Sequence, residues 1–166
     1  MYNLSCERER MEKESIKILV KNTKAHYNYF LSDFLECGIE LKGTEIKSLR
    51  HNGASLNVAY VIISGNEAFV LNMHIAPYDK GTIFNHEPLR TRKLLLHKME
   101  IIRLRQKIEE KGYTVIPTKI YLKHGLVKIE IALGKGKKNF DKRETIKERD
   151  DKRMMDRVIK NNGKGE

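Results

Sequence analysis

Cysteine is scarce in this chain: Cys6 and Cys37 are the only two, and neither stands in a CxxC pair or near a second pair of ligands. That argues against a disulfide framework and a structural zinc site, and leaves two reduced thiols as the expectation. Long hydrophobic runs are missing as well. No stretch approaches the roughly 20 consecutive apolar residues of a membrane span. The first residues alternate charge through Glu7-Arg8-Glu9-Arg10 and lack the apolar centre of a signal peptide. A cytoplasmic chain with no membrane contact is the expectation.

Catalytic patterns are equally thin. The six histidines (His26, His51, His74, His86, His97 and His124) include no HxH or HxxxH pair, and no G-x-S-x-G elbow presents a serine. Gly134-Lys135-Gly136-Lys137-Lys138 is glycine-rich and basic but lacks P-loop spacing; it reads as a flexible exit from a last strand. Carboxylates such as Glu36, Glu45 and Asp79 show no partner for acid/base or two-metal chemistry. Neither an enzyme nor a bound cofactor or metal is expected.

Positive charge is what the chain has in excess. Lys and Arg number 33 against 22 Asp and Glu, a formal charge of +11, while 40% of residues are hydrophobic, enough for a core. Such an excess costs self-repulsion in a compact state, so an anionic partner is the economical reading: nucleic acid first, ahead of an acidic membrane surface or a chain that is merely soluble and basic.

Residues 1–15 read as a disordered leader, with Met11 an alternative start, and 16–134 as one folded domain. Ile16–Val20 is a short first strand. Tyr27, Phe30, Leu31, Phe34 and Leu35 recur at helical spacing, with Gly38 as the stop. Ile39 to Leu49 begins as a strand and ends in a helical turn, and Asn52-Gly53 is a turn pair. Val58–Ser64 and Glu67–Met73 form a hairpin around Gly65-Asn66, and a loop follows from Pro77 to Pro88. Arg90–Glu110 is the strongest helical pattern, with Leu94, Ile101, Leu104 and Ile108 on one face and Gly112 closing it. Tyr113–Lys123 and Leu126–Leu133 make a second hairpin. About six strands with two or three helices close most easily as a small OB-type barrel. Residues 135–166 then carry +5 of the charge with few apolar groups, a tail expected to be disordered when free. Its i,i+4 pairs Met154/Val158 and Met155/Ile159 favour a helix against a partner.

Several blocks, in order, also resemble one known family. Gly43-Thr44-Glu45-Ile46-Lys47-Ser48-Leu49-Arg50, Arg90-Thr91-Arg92-Lys93-Leu94-Leu95-Leu96-His97 and Gly112-Tyr113-Thr114-Val115-Ile116-Pro117 are similar to SmpB signatures. So is the tail run Gly136-Lys137-Lys138, Asp141-Lys142-Arg143 and Ile146-Lys147-Glu148-Arg149. The resemblance implies a mainly β, OB-like six-stranded antiparallel barrel with three helices and a tail disordered in isolation. It implies a protein of trans-translation that binds the tRNA-like domain of transfer-messenger RNA and delivers it to stalled ribosomes. The tail would then enter the empty mRNA path near the decoding centre, becoming helical there. Further partners implied are the 30S subunit with its 16S ribosomal RNA, and elongation factor Tu.

Carried over by position, the RNA-facing residues are Glu36, Leu95 and His97. Lys47, Arg50, Arg92 and Lys93 are phosphate candidates on chemical grounds. In the tail, Lys137, Lys138, Asp141, Lys142, Arg143, Ile146 and Lys147 would meet the ribosome, with Phe140 stacking on a base. One departure is Asp151, where many members carry tryptophan. A structural ribosome-associated RNA-binding protein is the alternative reading, and a small RNA hydrolase or nuclease a third.

Overall fold

The computed structural model describes residues 16–51, 53–81, 83 and 85–162. The leader expected over 1–15, with Cys6 and Met11, lies outside them, as do Asn52 of the expected turn pair and the side chains of Phe140 and Val158. The elements in order are β1 (Lys17–Lys21), α1 (Thr23–Asn28), β2 (Tyr29–Ile39), α2 (Gly43–Arg50), β3 (Ala54–Ser55), β4 (Tyr60–Ser64) and β5 (Glu67–Leu71). There follow β6 (His74–Ile75), β7 (Arg92–Leu95), α3 (Lys98–Lys111), β8 (Thr114–Lys123), β9 (Leu126–Gly136) and α4 (Asn139–Asn162).

Six strands close on themselves in the order β8-β4-β5-β7-β2-β9, because β8 and β9 also pair with each other; β1 adds to β8 from outside the ring. Every pairing is antiparallel. This is the expected barrel, built from tight hairpins. His124 and Gly125 both take left-handed φ (51° and 78°), the geometry that a two-residue turn needs to match strand twist. Leu49, Leu56, Val61, Val70, Met73, Leu94, Val115, Ile120, Ile129 and Ile131 fill the interior. Each such side chain contributes roughly 1.5–3 kcal/mol by leaving water. No described helix is long and apolar enough to cross a membrane.

Two helical expectations give way to strands. The stretch from Tyr29 onward is β2, and only Thr23–Asn28 before it is helical. A bulge explains the misleading spacing: Asp33 sits at φ 48° and the pairing with β9 shifts between Ser32 and Leu35. The extra residue replaces a two-residue period with offsets of three and four, which mimic a helix. Gly38 accordingly ends no helix and is the penultimate residue of β2, opposite Lys128 on β9 and Leu95 on β7.

In the second case the helix begins at Lys98, eight residues later than expected, and Arg92–Leu95 are β7. There Arg92 and Leu94 point inward while Lys93 and Leu95 point outward, a clean two-residue alternation. Ile101, Leu104 and Ile108 still form the buried face of α3 as expected. The last strand runs to Gly136, past the expected end at Leu133.

Over the tail, expected to be disordered when free and helical on the ribosome, the described backbone is helical from Asn139 to Asn162. Its opening turns touch the barrel, and the described side chains from Ile146 onward are exposed. Its helicity is therefore local, drawn from strong helix formers and from pairs such as Arg153 with Asp150 at 3.7 Å, rather than from packing.

Candidate nucleic-acid interface

Alternation along β2 buries Cys37 and Ile39 and turns Glu36 and Gly38 to the outside of the barrel. Leu95 on β7 stands directly opposite Gly38 and is 56% exposed. A Cβ on Gly38 would approach the Leu95 Cβ to 3.2 Å, so the missing side chain is what lets Leu95 lie against β2. His97, two residues further on, is the exposed N-cap of α3, and its backbone N–H donates to Glu100 Oε2 at 2.8 Å. Leu95, His97 and Lys93 share a shallow cleft of about 350 Å³ with the turn residue Asn66 and with Glu67 at the start of β5. The structure thus brings Glu36 onto the β2 face that Leu95 covers, and places His97 beside Leu95. It does so from a strand pair and a helix cap, whereas Leu95 and His97 were expected inside a helix.

On the other flank of Glu36, the side chain of Tyr121 reaches from β8 across β9 and donates its O–H to the Glu36 carboxylate. Lys123 Nζ stands 3.3 Å from the same carboxylate. Lys119 pairs with Glu130 at 2.8 Å and lies 5.7 Å from the centre of the Tyr121 ring, while Lys128 stands opposite Gly38 in the ladder. The Tyr121 hydrogen bond, with the charges of Lys123 and Lys128, holds the Glu36 carboxyl below the usual range against a smaller opposing effect of burial. Burial, then the Glu36 hydrogen bond and charge, push the Tyr121 phenol up, so it stays a donor. The face therefore offers a carboxylate acceptor among lysines beside an exposed leucine. Carboxylates accept from base or ribose donors, lysines bind phosphate, and the apolar surface packs on a sugar or base.

Tyr121, Lys119, Lys123, Lys128 and Glu130 were not among the residues expected at the site. The signal was present in the two-residue spacing of Lys119, Tyr121 and Lys123, and of Lys128 and Glu130, on strands that the sequence already marked.

Arg92 is not a surface phosphate ligand. Its side chain is fully buried, with Nε 2.9 Å from Glu45 Oε1 and its amino groups donating to the carbonyls of Met73 (2.6 Å), Arg90 (2.9 Å) and Pro88 (3.1 Å). Glu45, read as a carboxylate without a partner, is equally buried and also accepts from Arg90 Nε at 2.8 Å and from the Lys42 N–H at 2.7 Å. Burial pushes the Glu45 carboxyl up; the Arg90 and Lys42 hydrogen bonds and the Arg92 charge outweigh it, and the net direction is down. The period-2 burial that places Leu94 inside places Arg92 inside too, and the cluster ties α2 to β7. Lys93 remains on the surface, paired with Glu67.

Lys47 and Arg50 are exposed on α2, in a different neighbourhood: the Lys47 ammonium stands 5.6 Å from the centre of the Tyr78 ring. In the tail, Lys137 is partly engaged by the protein itself. Its Nζ donates to His26 O and Thr145 Oγ1, both at 3.1 Å, and stands 4.7 Å from the centre of the Phe30 ring. Asp141 accepts from the Lys138 N–H at 3.0 Å and so caps α4, and Lys142 Nζ lies 6.0 Å from the Tyr27 ring. Arg143, Ile146 and Lys147 are exposed. Phe140 contributes its backbone to α4, and its side chain lies outside what the structure describes.

A family model, SmpB protein, matches residues 19–161, from β1 nearly to the end of α4. The chain belongs to the SmpB family. Among its relatives is the SsrA-binding protein of Caldanaerobacter subterraneus subsp. tengcongensis, 54% identical over 149 residues, covering 90% of this chain and 94% of the relative. The SsrA-binding protein of Malacoplasma penetrans is 55% identical over 145 residues, covering 87% and 99%. Among solved structures, one described as "tmRNA-SmpB: a journey to the center of the bacterial ribosome" matches with a TM-score of 0.62 at 40% identity, over 75% of this chain and 86% of that one. The matched SmpB span includes both the outer face around Glu36 and the tail helix.

Proposed function

We propose that this chain binds the tRNA-like domain of transfer-messenger RNA and carries it to stalled ribosomes in trans-translation, acting by binding alone in the cytoplasm. The observation that carries this reading is the outer face on which Glu36, Leu95 and the lysines of β8 and β9 gather, in a chain whose relatives are named for binding SsrA RNA. Glu36, Leu95 and His97 read the RNA there, and Lys93, Lys119, Lys123 and Lys128 neutralise phosphates. The tail helix is the ribosome-facing part. Free in solution it exchanges with unfolded chain, since so few of its side chains pack. Along the 16S ribosomal RNA of the 30S subunit its lysines and arginines meet phosphate, and repulsion within the helix falls. Elongation factor Tu is a partner in the same delivery.

The test is a pair of assays on the same variants: affinity for the tRNA-like domain RNA, and peptide tagging on stalled ribosomes. Glu36→Ala and Leu95→Ala are expected to lose both. Leu95→Ala should leave thermal stability nearly unchanged because its side chain is outside the core, while Glu36→Ala also removes the acceptor of the buried Tyr121 O–H and should cost about 1–3 kcal/mol. Co-purification from cells with whole subunits, and not with one abundant stable RNA, would favour a structural ribosome-associated protein instead.

A further inference from the structure

The carboxyl end of α2 and the loop facing it form a second aromatic and basic cluster that the outer face does not use. His51, the C-cap of α2, stacks with Tyr78, ring centres 6.2 Å apart and planes inclined by 25°. A cavity of about 240 Å³ opens beside the pair. Lys80 lines it beside the single carboxylate of Asp79, Lys47 Nζ stands 5.6 Å from the centre of the Tyr78 ring, and Arg50 precedes His51 in the chain; all three cations are exposed. Among the described residues none of the three is in an ion pair.

The cluster is also held rigid. The Asn85 side chain accepts from the Tyr78 N–H at 3.1 Å and donates to the Tyr78 carbonyl at 3.0 Å, and the Gly81 N–H reaches the same carbonyl at 2.7 Å. Ser48 Oγ donates to the Ala76 carbonyl at 2.6 Å, and the Ala76 N–H donates to the Gly53 carbonyl at 2.6 Å. Only glycine fits at 53, because a Cβ there would lie 2.6 Å from Ser48 Oγ. These bonds fix the backbone on both sides of the pair while leaving His51 exposed and Tyr78 half-buried.

We infer that His51 and Tyr78 form a stacking platform for one unpaired RNA base, with its flanking phosphates held by Lys47, Arg50 and Lys80. This rests on the reading that the chain's partner is RNA. A π-face that accepts any base, ringed by cations and pre-ordered by backbone bonds, is the combination that single-stranded RNA requires. The base comes from transfer-messenger RNA or from ribosomal RNA, and the chemistry of the platform is the same for both.

The chain contains no tryptophan, so Tyr78→Trp places a unique indole on the platform. Its emission is measured on adding a ten-nucleotide oligoadenylate, the tRNA-like domain RNA, or 30S subunits. Quenching by oligoadenylate is expected, and quenching by one of the two larger partners identifies the source of the base. Tyr78→Ala should weaken binding to that partner between about fivefold and a hundredfold, the range for loss of one stacked base. Tyr78→Phe, which keeps the ring, should bind as the wild type does. If Tyr78→Trp is quenched by none of the three, or Tyr78→Ala binds both larger partners like wild type, the platform is overturned. Failure of the wild-type chain to bind the tRNA-like domain overturns the proposed function instead, and the oligoadenylate titration still decides the platform.

Discussion

Glu45 and Arg92 show how a charge pair becomes part of a barrel wall. Both are fully buried, and every amino group of Arg92 has an oxygen to meet. Removing one partner leaves the other charged in a dry interior, so Glu45→Ala is expected to cost about 3–5 kcal/mol, read as a lowered melting temperature. The pH dependence has a definite sign. The folded-state carboxyl of Glu45 lies below its ordinary value, so its stabilisation is complete above the unfolded pKa of about 4.3 and is lost as pH falls through the folded value. Melting temperatures between pH 7 and pH 3 should therefore fall at the acid end, and less steeply in Glu45→Gln. Cys37 behaves oppositely in kind: burial, with the negative charges of Glu100 and Glu36, pushes its thiol up to about 12. In a Cys6→Ser background, a thiol reagent at pH 8 should label Cys37 only on unfolding.

Among the elements, β9 and α4 meet at a junction that a deletion can separate. Residues Tyr29 to Leu31 of β2 pair with Gly134 to Gly136, so a cut after Gly134 removes ladder residues, while a cut after Gly136 leaves the ladder whole. Truncation after Gly136 is expected to preserve affinity for the tRNA-like RNA and abolish tagging; loss of both would place the tail in the RNA-binding surface. Elements were legible in the sequence where one periodicity ran undisturbed, as in the two hairpins and the Ile101, Leu104, Ile108 face of α3. They were illegible where a bulge at Asp33 mimicked helical spacing, and where a buried arginine broke the hydrophobic code of β7. The Glu36, Leu95 and His97 positions came from resemblance alone. The lysines around them needed the strand register, which spacing suggests but only pairing fixes.

At the scale of the whole molecule, the charge of +11 sets the response to salt. With Lys93, Lys119, Lys123 and Lys128 on or beside one face, affinity for the tRNA-like RNA should fall linearly on log–log axes with a slope of about −2 to −4. A salt-insensitive affinity in a filter-binding or fluorescence titration would remove the phosphate part of the interface. The ring has a further consequence, in time as well as in space. Its closing seam joins β2 to β9, so that Cys37 meets Ile129 across a sequence separation of 92. Until β9 is available, β2 lacks its longest partner and β8 its hairpin, so the barrel stays open with strand edges bare. During synthesis, which makes β2 long before β9, that closure must wait for the later strand, and the early strands spend the interval without their partner.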